Sequence, residues 1–213
     1  MKINTLADCF KIVSDTLNEV DSLHLLISEK FQKEIKDKLN MLLSAGESSG
    51  AYELKDNSDR IIYSTAQSIP LKGRGKGQKV ARYISWQIAL SGQYINYPSN
   101  KEPLIHVCLW ATHCKDDWIE FPLDYASDPF NLSKGGKLIQ WDCEGASQDW
   151  LKKSWTFAVR LTSINSVSDI EKYIVNPAIA LLNGESVDVA LPDTDSFGDV
   201  LFRFSREQLT SAE

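Results

Sequence analysis

Leu-Ile-His-Val-Cys-Leu-Trp-Ala-Thr, residues 104–112, is the stretch that decides the fold, because nearly every side chain in it is apolar. Side chains alternate between the two faces of a strand, so Leu104, His106, Cys108 and Trp110 share one face and the odd-numbered residues share the other. A strand that is apolar on both faces is covered on both, whereas a half-exposed strand alternates apolar with polar residues. The stretch therefore predicts a central strand, and the alternating segments around it predict strands that lie outside it.

Length and composition place the chain among ordinary globular proteins. It has 213 residues, of which 43% are hydrophobic and 24% are charged, and this balance predicts one domain over residues 1–213. No apolar run approaches the roughly 20 residues of a membrane helix. The first residues carry charges where a secretion signal would be apolar, and four scattered cysteines are too few for a disulfide framework. We expect a cytoplasmic protein with reduced thiols and no membrane partner.

Residues 1–47 are predicted to form a helical hairpin. Apolar residues recur every three or four positions over 5–18 and again over 21–45, and Asp21 is a suitable cap for the second helix. We expect the apolar stripe of the second helix to pack on the protein's own sheet, which favours a monomer; the alternative is a dimer that forms through the hairpin. The stripe consists of Ile27, Phe31, Ile35, Leu39 and Leu42.

The rest of the chain predicts an antiparallel sheet followed by a helix. Alternating segments joined by connections too short for crossover helices fill residues 48–165. The pattern Ser168-Asp169-Ile170-Glu171 starts a helix within 166–184, which Pro177 should kink. Strands at 187–191 and 199–205 are expected to complete the region 185–206. The predicted fold class is α+β, with a twisted, mainly antiparallel sheet of about seven to nine strands. The other predicted strands span 51–55, 60–66, 79–90, 104–112, 119–123, 137–143 and 155–162.

One segment of the chain is strongly basic, and we call residues 72–82 the basic stretch. Residues 51–100 carry a net charge of +4, whereas the remainder of the chain carries −10. Three glycines interleave with the cations and allow backbone N–H groups to approach an anion. The pattern predicts an anion-binding loop for phosphate, nucleic acid or an acidic protein surface; the alternative is a solvated hairpin loop that only aids solubility. Its cations are Lys72, Arg74, Lys76, Lys79 and Arg82.

Two pairs of residues suggest phosphodiester chemistry. Asp142 and Glu144 alternate along a predicted strand, which places their side chains on one face about 7 Å apart, a spacing at which they can share a divalent metal. Glu53 and Lys55 form an acid-x-lysine pair of the kind seen in restriction-type nucleases. This pair comes early in the chain and lacks a preceding strand acid, so polar faces of half-exposed strands are the simpler interpretation of both pairs.

His106, Cys108, His113 and Cys114 are the soft ligands that zinc prefers, but they lack the knuckle spacing of a structural zinc site. A hydrogen-bonded core histidine and a buried thiol are expected instead.

Two functions follow from the sequence. The first, which we favour, is a non-catalytic binding protein that presents the basic stretch or the helical hairpin to an anionic or protein partner and needs no cofactor. The second is a metal-dependent phosphodiesterase or nuclease with Asp142 and Glu144 as metal ligands.

Overall fold

A computed structural model describes residues 6–39, 43–45, 52–55, 62–73, 80–90, 102–110, 130–141 and 154–207. Nine strands in these ranges join one antiparallel sheet, and helices pack against it, so the fold is α+β as predicted. None of the helices in the described part of the chain combines the length and apolar character needed to cross a membrane. The strands are β1 (Leu43–Ala45), β2 (Tyr52–Lys55), β3 (Ile62–Gly73), β4 (Val80–Ala89), β5 (Leu104–Trp110), β6 (Asn131–Leu132), β7 (Ile139–Trp141), β8 (Ser154–Arg160) and β9 (Leu201–Phe202).

The predicted central strand is confirmed. The sheet order is β1-β3-β4-β5-β8-β7-β6, with β2 paired to β3 and β9 paired to β8, so β5 lies in the middle. All seven residues of β5 are buried. The polar positions of β4 differ from expectation, because Ser85 and Gln87 are also fully buried. Both faces of the sheet are therefore covered at β4 and β5. The alternation of apolar and polar residues in β4 had predicted that one of its faces would be exposed.

The two faces of β5 belong to different apolar clusters. Ile105, Val107 and Leu109 join a large cluster with the helices, whereas Leu104, Cys108 and Trp110 join a smaller one. We call these the helix face and the second face of the sheet. The second cluster also includes aromatic side chains that follow or pair with the C-terminal strands. These are Phe130, Phe202 and Phe204.

The predicted N-terminal hairpin is not found, because residues Leu6–Lys38 form one continuous 33-residue helix, α1. No glycine or proline interrupts the segment, and buried Val20, His24 and Ile27 continue the apolar spacing across the predicted turn. Asp21 lies exposed within the helix and caps nothing. Four residues of the predicted stripe, Ile27, Phe31, Ile35 and Leu39, are buried in the core cluster, and Leu42 lies outside the described residues. The helix was predicted to reach residue 45, but it ends at Lys38 and Leu43–Ala45 form β1.

The predicted C-terminal helix forms with a different internal structure. It begins with α2 (Val167–Ile170), passes through a π-helical segment (Glu171–Val175) and ends with α3 (Asn176–Leu182). The wider π-turn precedes Pro177, which lacks an N–H and would clash with an ordinary preceding turn. Its cap is Ser166 rather than Ser168, because the Asp169 N–H donates to the Ser166 hydroxyl.

The strand predicted at 187–191 is wrong. Residues Val187–Ala190 form a short helix, α4, in which the Val189 N–H donates to the side chain of Ser186. A second short helix, α5 (Asp195–Gly198), precedes β9. The alternation Val-Asp-Val resembles a strand, but four residues are too few to distinguish the two periods once a serine caps the segment. The strand predicted at 119–123 lies outside the described residues.

Candidate functional site

The basic stretch begins on one strand and ends on the next. β3 and β4 are antiparallel neighbours, with Lys72 opposite Val80 and Leu71 opposite Arg82. β3 is longer than predicted and includes Lys72, and a register shift separates these two pairs. Residues 74–79 lie between the two strands in sequence, and Arg74, Lys76 and Lys79 are outside the described residues. The register puts the first and last cations of the basic stretch close together on adjacent strands.

Arg82 is the cation of the basic stretch whose side chain the structure describes. It is half-buried, and burial lowers its pKa. Its cross-strand neighbour Leu71 is fully buried on the helix face, so Arg82 begins on that face and has interactions within the chain. An arginine remains a cation at neutral pH even after such a shift. Arg82 is thus a partly covered charge rather than a freely solvated one.

Several strands end on the same side as the basic stretch, which we call the hairpin end of the sheet. Tyr83 near the start of β4 pairs with Trp110 at the end of β5, and Trp141 at the end of β7 pairs with Ser154 at the start of β8. β7 is three strands away from β4, or about 14 Å at a strand spacing of about 4.8 Å. Asp142 and Glu144 follow β7 in sequence, and His113 and Cys114 follow β5; all four lie outside the described residues.

The acid-x-lysine pair lies elsewhere. Glu53 pairs with Thr65, and Lys55 pairs with Ile62, at the beginning of β3. Thr65 is seven residues from Lys72 along β3, or about 23 Å at about 3.3 Å per residue. The strand that carries Glu53 and Lys55 is therefore far from the hairpin end, and the structure does not bring this pair together with the basic stretch.

His106 and Cys108 lie on the second face of the sheet, inside the protein. Burial lowers the pKa of His106 to about 3 and raises that of the Cys108 thiol, so both are neutral at pH 7. Cys108 accepts a hydrogen bond from Thr156 at 3.2 Å. Among the described residues, neither ring nitrogen of His106 has a hydrogen-bond partner, contrary to the expected hydrogen-bonded core histidine. The described residues also contain no cluster of three or more histidine, cysteine or acidic side chains placed to hold a metal ion.

A polar cluster next to β7 was not anticipated. The Lys137 ammonium, whose side chain is 2% exposed, lies 2.8 Å from Asp193 and 3.0 Å from Asp188. Burial alone would lower the pKa of Lys137, but its hydrogen bonds to Asp193 and Asp188 outweigh burial and raise it. Arg203 pairs with Asp193 at 2.6 Å. Every charge in this cluster has an opposite partner, so the cluster links the turn before β7 to the segments around α4 and β9 and offers no unpaired charge for chemistry.

An apolar groove is the second unanticipated feature. It lies between α1, the end of β4, the turn after β8 and the start of α2, and it has a volume of about 470 Å³. We call it the α1–α2 groove. Ala89 and Arg160, at the ends of β4 and β8, both align with Leu104, so the groove lies at the sheet end opposite the basic stretch. Its lining comes from segments distant in sequence, so no single stretch of the chain signals it.

No protein-family model, curated protein or solved structure matches this chain at a significant level.

Proposed function

We propose that the chain is a non-catalytic binding protein that uses the basic stretch to bind a phosphate-bearing polyanion. The strand register supports this proposal, because Lys72 and Arg82 lie close together at the hairpin end and the other three cations lie between them in sequence. The helical hairpin is not kept as an alternative binding surface, since Leu6–Lys38 form one helix, α1, and the apolar side of this helix is buried in the core cluster. A cytosolic location is part of the proposal, and Cys108, a buried free thiol, is consistent with it.

The charge distribution favours local over extended contact with the polyanion. Most of the chain is acidic, so a nucleic acid that spread over the whole surface would be repelled. A polyanion that contacts only the basic stretch would meet at most five cations. Contact with about five phosphates predicts that log K falls with log salt at a slope of about −4.5 on duplex DNA.

A labelled oligonucleotide tests this function. The triple variant Arg74→Ala, Lys76→Ala and Lys79→Ala should weaken binding at least tenfold and reduce the salt slope to about −2, because each lost phosphate contact removes about 0.9 from it. Arg82 is left intact because it is half-buried. The matched control removes three exposed lysines outside the basic stretch, Lys11, Lys33 and Lys134, and should change binding little. Equal weakening by both triples, or no binding at low salt, would overturn the proposal.

The alternative function is a metal-dependent phosphodiesterase with Asp142 and Glu144 as ligands of a divalent metal. One observation favours it: β7 ends at the hairpin end, three strands from β4, and Asp142 and Glu144 follow Trp141 closely in sequence. A polyanion held by the basic stretch would extend about 14 Å to reach the end of β7. Two carboxylates and a metal could then activate water and stabilise the leaving oxygen.

Cleavage separates the two functions. Under the alternative, Mg²⁺ or Mn²⁺ brings hydrolysis of the bound oligonucleotide, and Asp142→Asn abolishes it while binding is kept or tightened, because a negative charge is removed from the path of the phosphate. Binding without hydrolysis in either metal supports the non-catalytic protein. An Asp37→Asn variant, which removes an exposed carboxylate of α1, is the matched control and should leave any hydrolysis unchanged.

A further inference from the structure

The α1–α2 groove has the size and the lining of a small-molecule site. Its volume of about 470 Å³ lies within the roughly 300–1,000 Å³ of ligand pockets. At about 30 Å³ per water molecule, it would hold about fifteen waters, and hence a ligand of about fifteen non-hydrogen atoms. Eight of its lining residues are aliphatic. Several of these, including Leu23, Leu90 and Ile164, are only partly buried, although they join the edge of the main core cluster.

The polar groups at the groove are acidic or neutral. Glu19, an exposed residue of α1, is part of the lining. The Asp169 carboxylate accepts hydrogen bonds from the Ser166 hydroxyl at 2.8 Å and from the Asn165 N–H at 3.1 Å, and both donors belong to lining residues. These bonds, the first from Ser166, lower the pKa of Asp169 and keep it ionised.

No lysine, arginine or histidine is among the described residues that line the groove. Lys172, which lies close in sequence, donates to the Tyr173 hydroxyl at 2.9 Å and to Ser196 at 3.4 Å, and its ammonium lies over the Tyr173 ring. The ammonium is therefore held by side chains that do not line the groove, although its charge also contributes to the lowered pKa of Asp169. A carboxylate or phosphate head would find no lysine, arginine or histidine in the described lining, but it would find the Glu19 carboxylate there and the Asp169 carboxylate bonded to two lining residues. An ammonium head would be attracted instead.

From this combination we infer that the α1–α2 groove binds an apolar amine: an aliphatic molecule of about fifteen non-hydrogen atoms whose cationic head lies against Glu19 and Asp169. The aliphatic side chains bind the tail, and the acidic rim selects the head. The groove and the basic stretch lie at opposite ends of the sheet, so this site stands whether or not the basic stretch binds a polyanion.

Three ligands with the same twelve-carbon tail test the inference: dodecylamine, dodecan-1-ol and dodecanoate, titrated by calorimetry below their micelle concentrations. We expect one site per chain and an affinity about tenfold higher for the amine than for the carboxylate, since attraction and repulsion at an exposed rim each contribute up to about fivefold. Equal binding of amine and carboxylate, or no saturable binding of the amine, would overturn the inference.

Charge reversal locates the head. Glu19→Lys should reduce the amine-to-carboxylate ratio at least fivefold. Asp21→Lys makes the same change in net charge two residues away, which is about 200° around the helix, and should leave the ratio unchanged. Both residues are exposed, so neither change should disturb folding. A ratio that responds equally to both variants would show general electrostatics and contradict a site at Glu19.

Filling the groove locates the tail. Val167 lines the groove and is 41% exposed, so the Val167→Trp variant should fold. The larger side chain should lower the affinity for all three ligands at least fivefold. Val189→Trp is the matched control, because Val189 is 62% exposed on α4 and is not part of the lining. Unchanged affinity in the Val167 variant, with the chain folded by circular dichroism, would place the ligand elsewhere and overturn the inference.

Discussion

The indole N–H of Trp86 on β4 donates a hydrogen bond to Nδ1 of His24 on α1, with 2.9 Å between the two nitrogens. Because Nδ1 accepts, the ring proton is on Nε2, which lies 2.6 Å from the Thr65 hydroxyl oxygen on β3. Two turns further along α1, Phe31 stacks on the same indole, with 5.5 Å between the two ring centroids. One histidine thus joins the helix to two strands, next to an aromatic contact that fixes how the helix lies on the sheet.

The first prediction compares the two buried histidines. His24→Leu removes both hydrogen bonds and leaves the Trp86 N–H and the Thr65 hydroxyl buried, so it should lower the free energy of unfolding by about 1–3 kcal/mol. His106→Leu removes a buried imidazole whose nitrogens have no partner among the described residues, and should be neutral or stabilising.

Urea unfolding at pH 7.5 measures both variants. A cost for His106→Leu as large as that for His24→Leu would mean that His106 bonds to water, to a ligand or to side chains outside the described residues. A cost below about 0.5 kcal/mol for His24→Leu would show that the hydrogen bonds to Trp86 and Thr65 do not stabilise the fold.

The second prediction is a loss of stability in mild acid. Burial lowers the pKa of His24 to about 4 and that of His106 to about 3, whereas an unfolded histidine titrates near 6.5. Between these values the unfolded chain binds more protons than the folded chain, so the contribution of the neutral rings is complete above about pH 6.5 and is lost as the pH falls. Each histidine should lower the free energy of unfolding by about 2 kcal/mol between pH 7.5 and pH 5.

The same two variants check the pH prediction. Either single variant should reduce the loss of unfolding free energy between pH 7.5 and pH 5 by about half. The double variant should nearly abolish this loss. Measurements stop at pH 5 because carboxylates with lowered pKa values, such as Asp169, Glu171 and Asp193, begin to contribute below it. An unchanged loss in the double variant would assign the acid sensitivity to other groups.

The position of β5 could be predicted because the information is local. β5 has seven successive residues that are suited to burial, so both of its faces must be covered, and this places it inside the sheet. The break predicted near Asp21 was wrong because the information needed there is not local. An aspartate caps a helix only if the helix begins at that residue, and the sequence around Asp21 does not decide this. Aspartate is also tolerated in the middle of a helix on the solvent side, and the choice depends on what lies behind it, here Val20 and His24.

The candidate sites could be predicted only in part. The charge of the basic stretch is visible in the sequence. The strand register adds that Lys72 and Arg82, its first and last cations, lie close together on adjacent strands. Burial of Ser85 and Gln87 could not be predicted, because it depends on what covers the second face of the sheet rather than on β4 itself. The α1–α2 groove was missed because its residues look like ordinary core positions; Leu26, Leu90 and Leu161 converge only in the folded chain.

The third prediction concerns Trp110, a fully buried residue at the end of β5. Trp110→Ala should lower the free energy of unfolding by about 3–5 kcal/mol, the range for truncating a large buried aromatic side chain. Leu25→Ala is the control, since Leu25 is 63% exposed on α1 and its truncation should change stability by no more than about 0.5 kcal/mol. A loss below about 1 kcal/mol for Trp110→Ala would mean that the second face of the sheet is open to solvent there.

The last prediction uses three glycines that differ in conformation and surroundings. Gly136 has φ +69°, and an added Cβ would lie 2.0 Å from the backbone oxygen of Phe204, whose N–H donates to the Gly136 oxygen at 2.8 Å. Gly184, which follows α3, has φ +83° with open space around it, and Gly198 has neither a positive φ nor a close neighbour. The three positions therefore separate steric overlap, backbone strain and chain entropy.

Alanine at each glycine should give a graded series in urea unfolding. Gly136→Ala combines a left-handed backbone with overlap that neither chain segment can relieve alone, and should cost about 2–5 kcal/mol. Gly184→Ala meets only the left-handed penalty, about 1–2 kcal/mol, and Gly198→Ala should stabilise by about 0.4–1 kcal/mol by restricting the unfolded chain. If Gly136→Ala were no worse than Gly184→Ala, the turn at 133–138 would not lie against Phe204, and the pairing of these two segments would have to be abandoned.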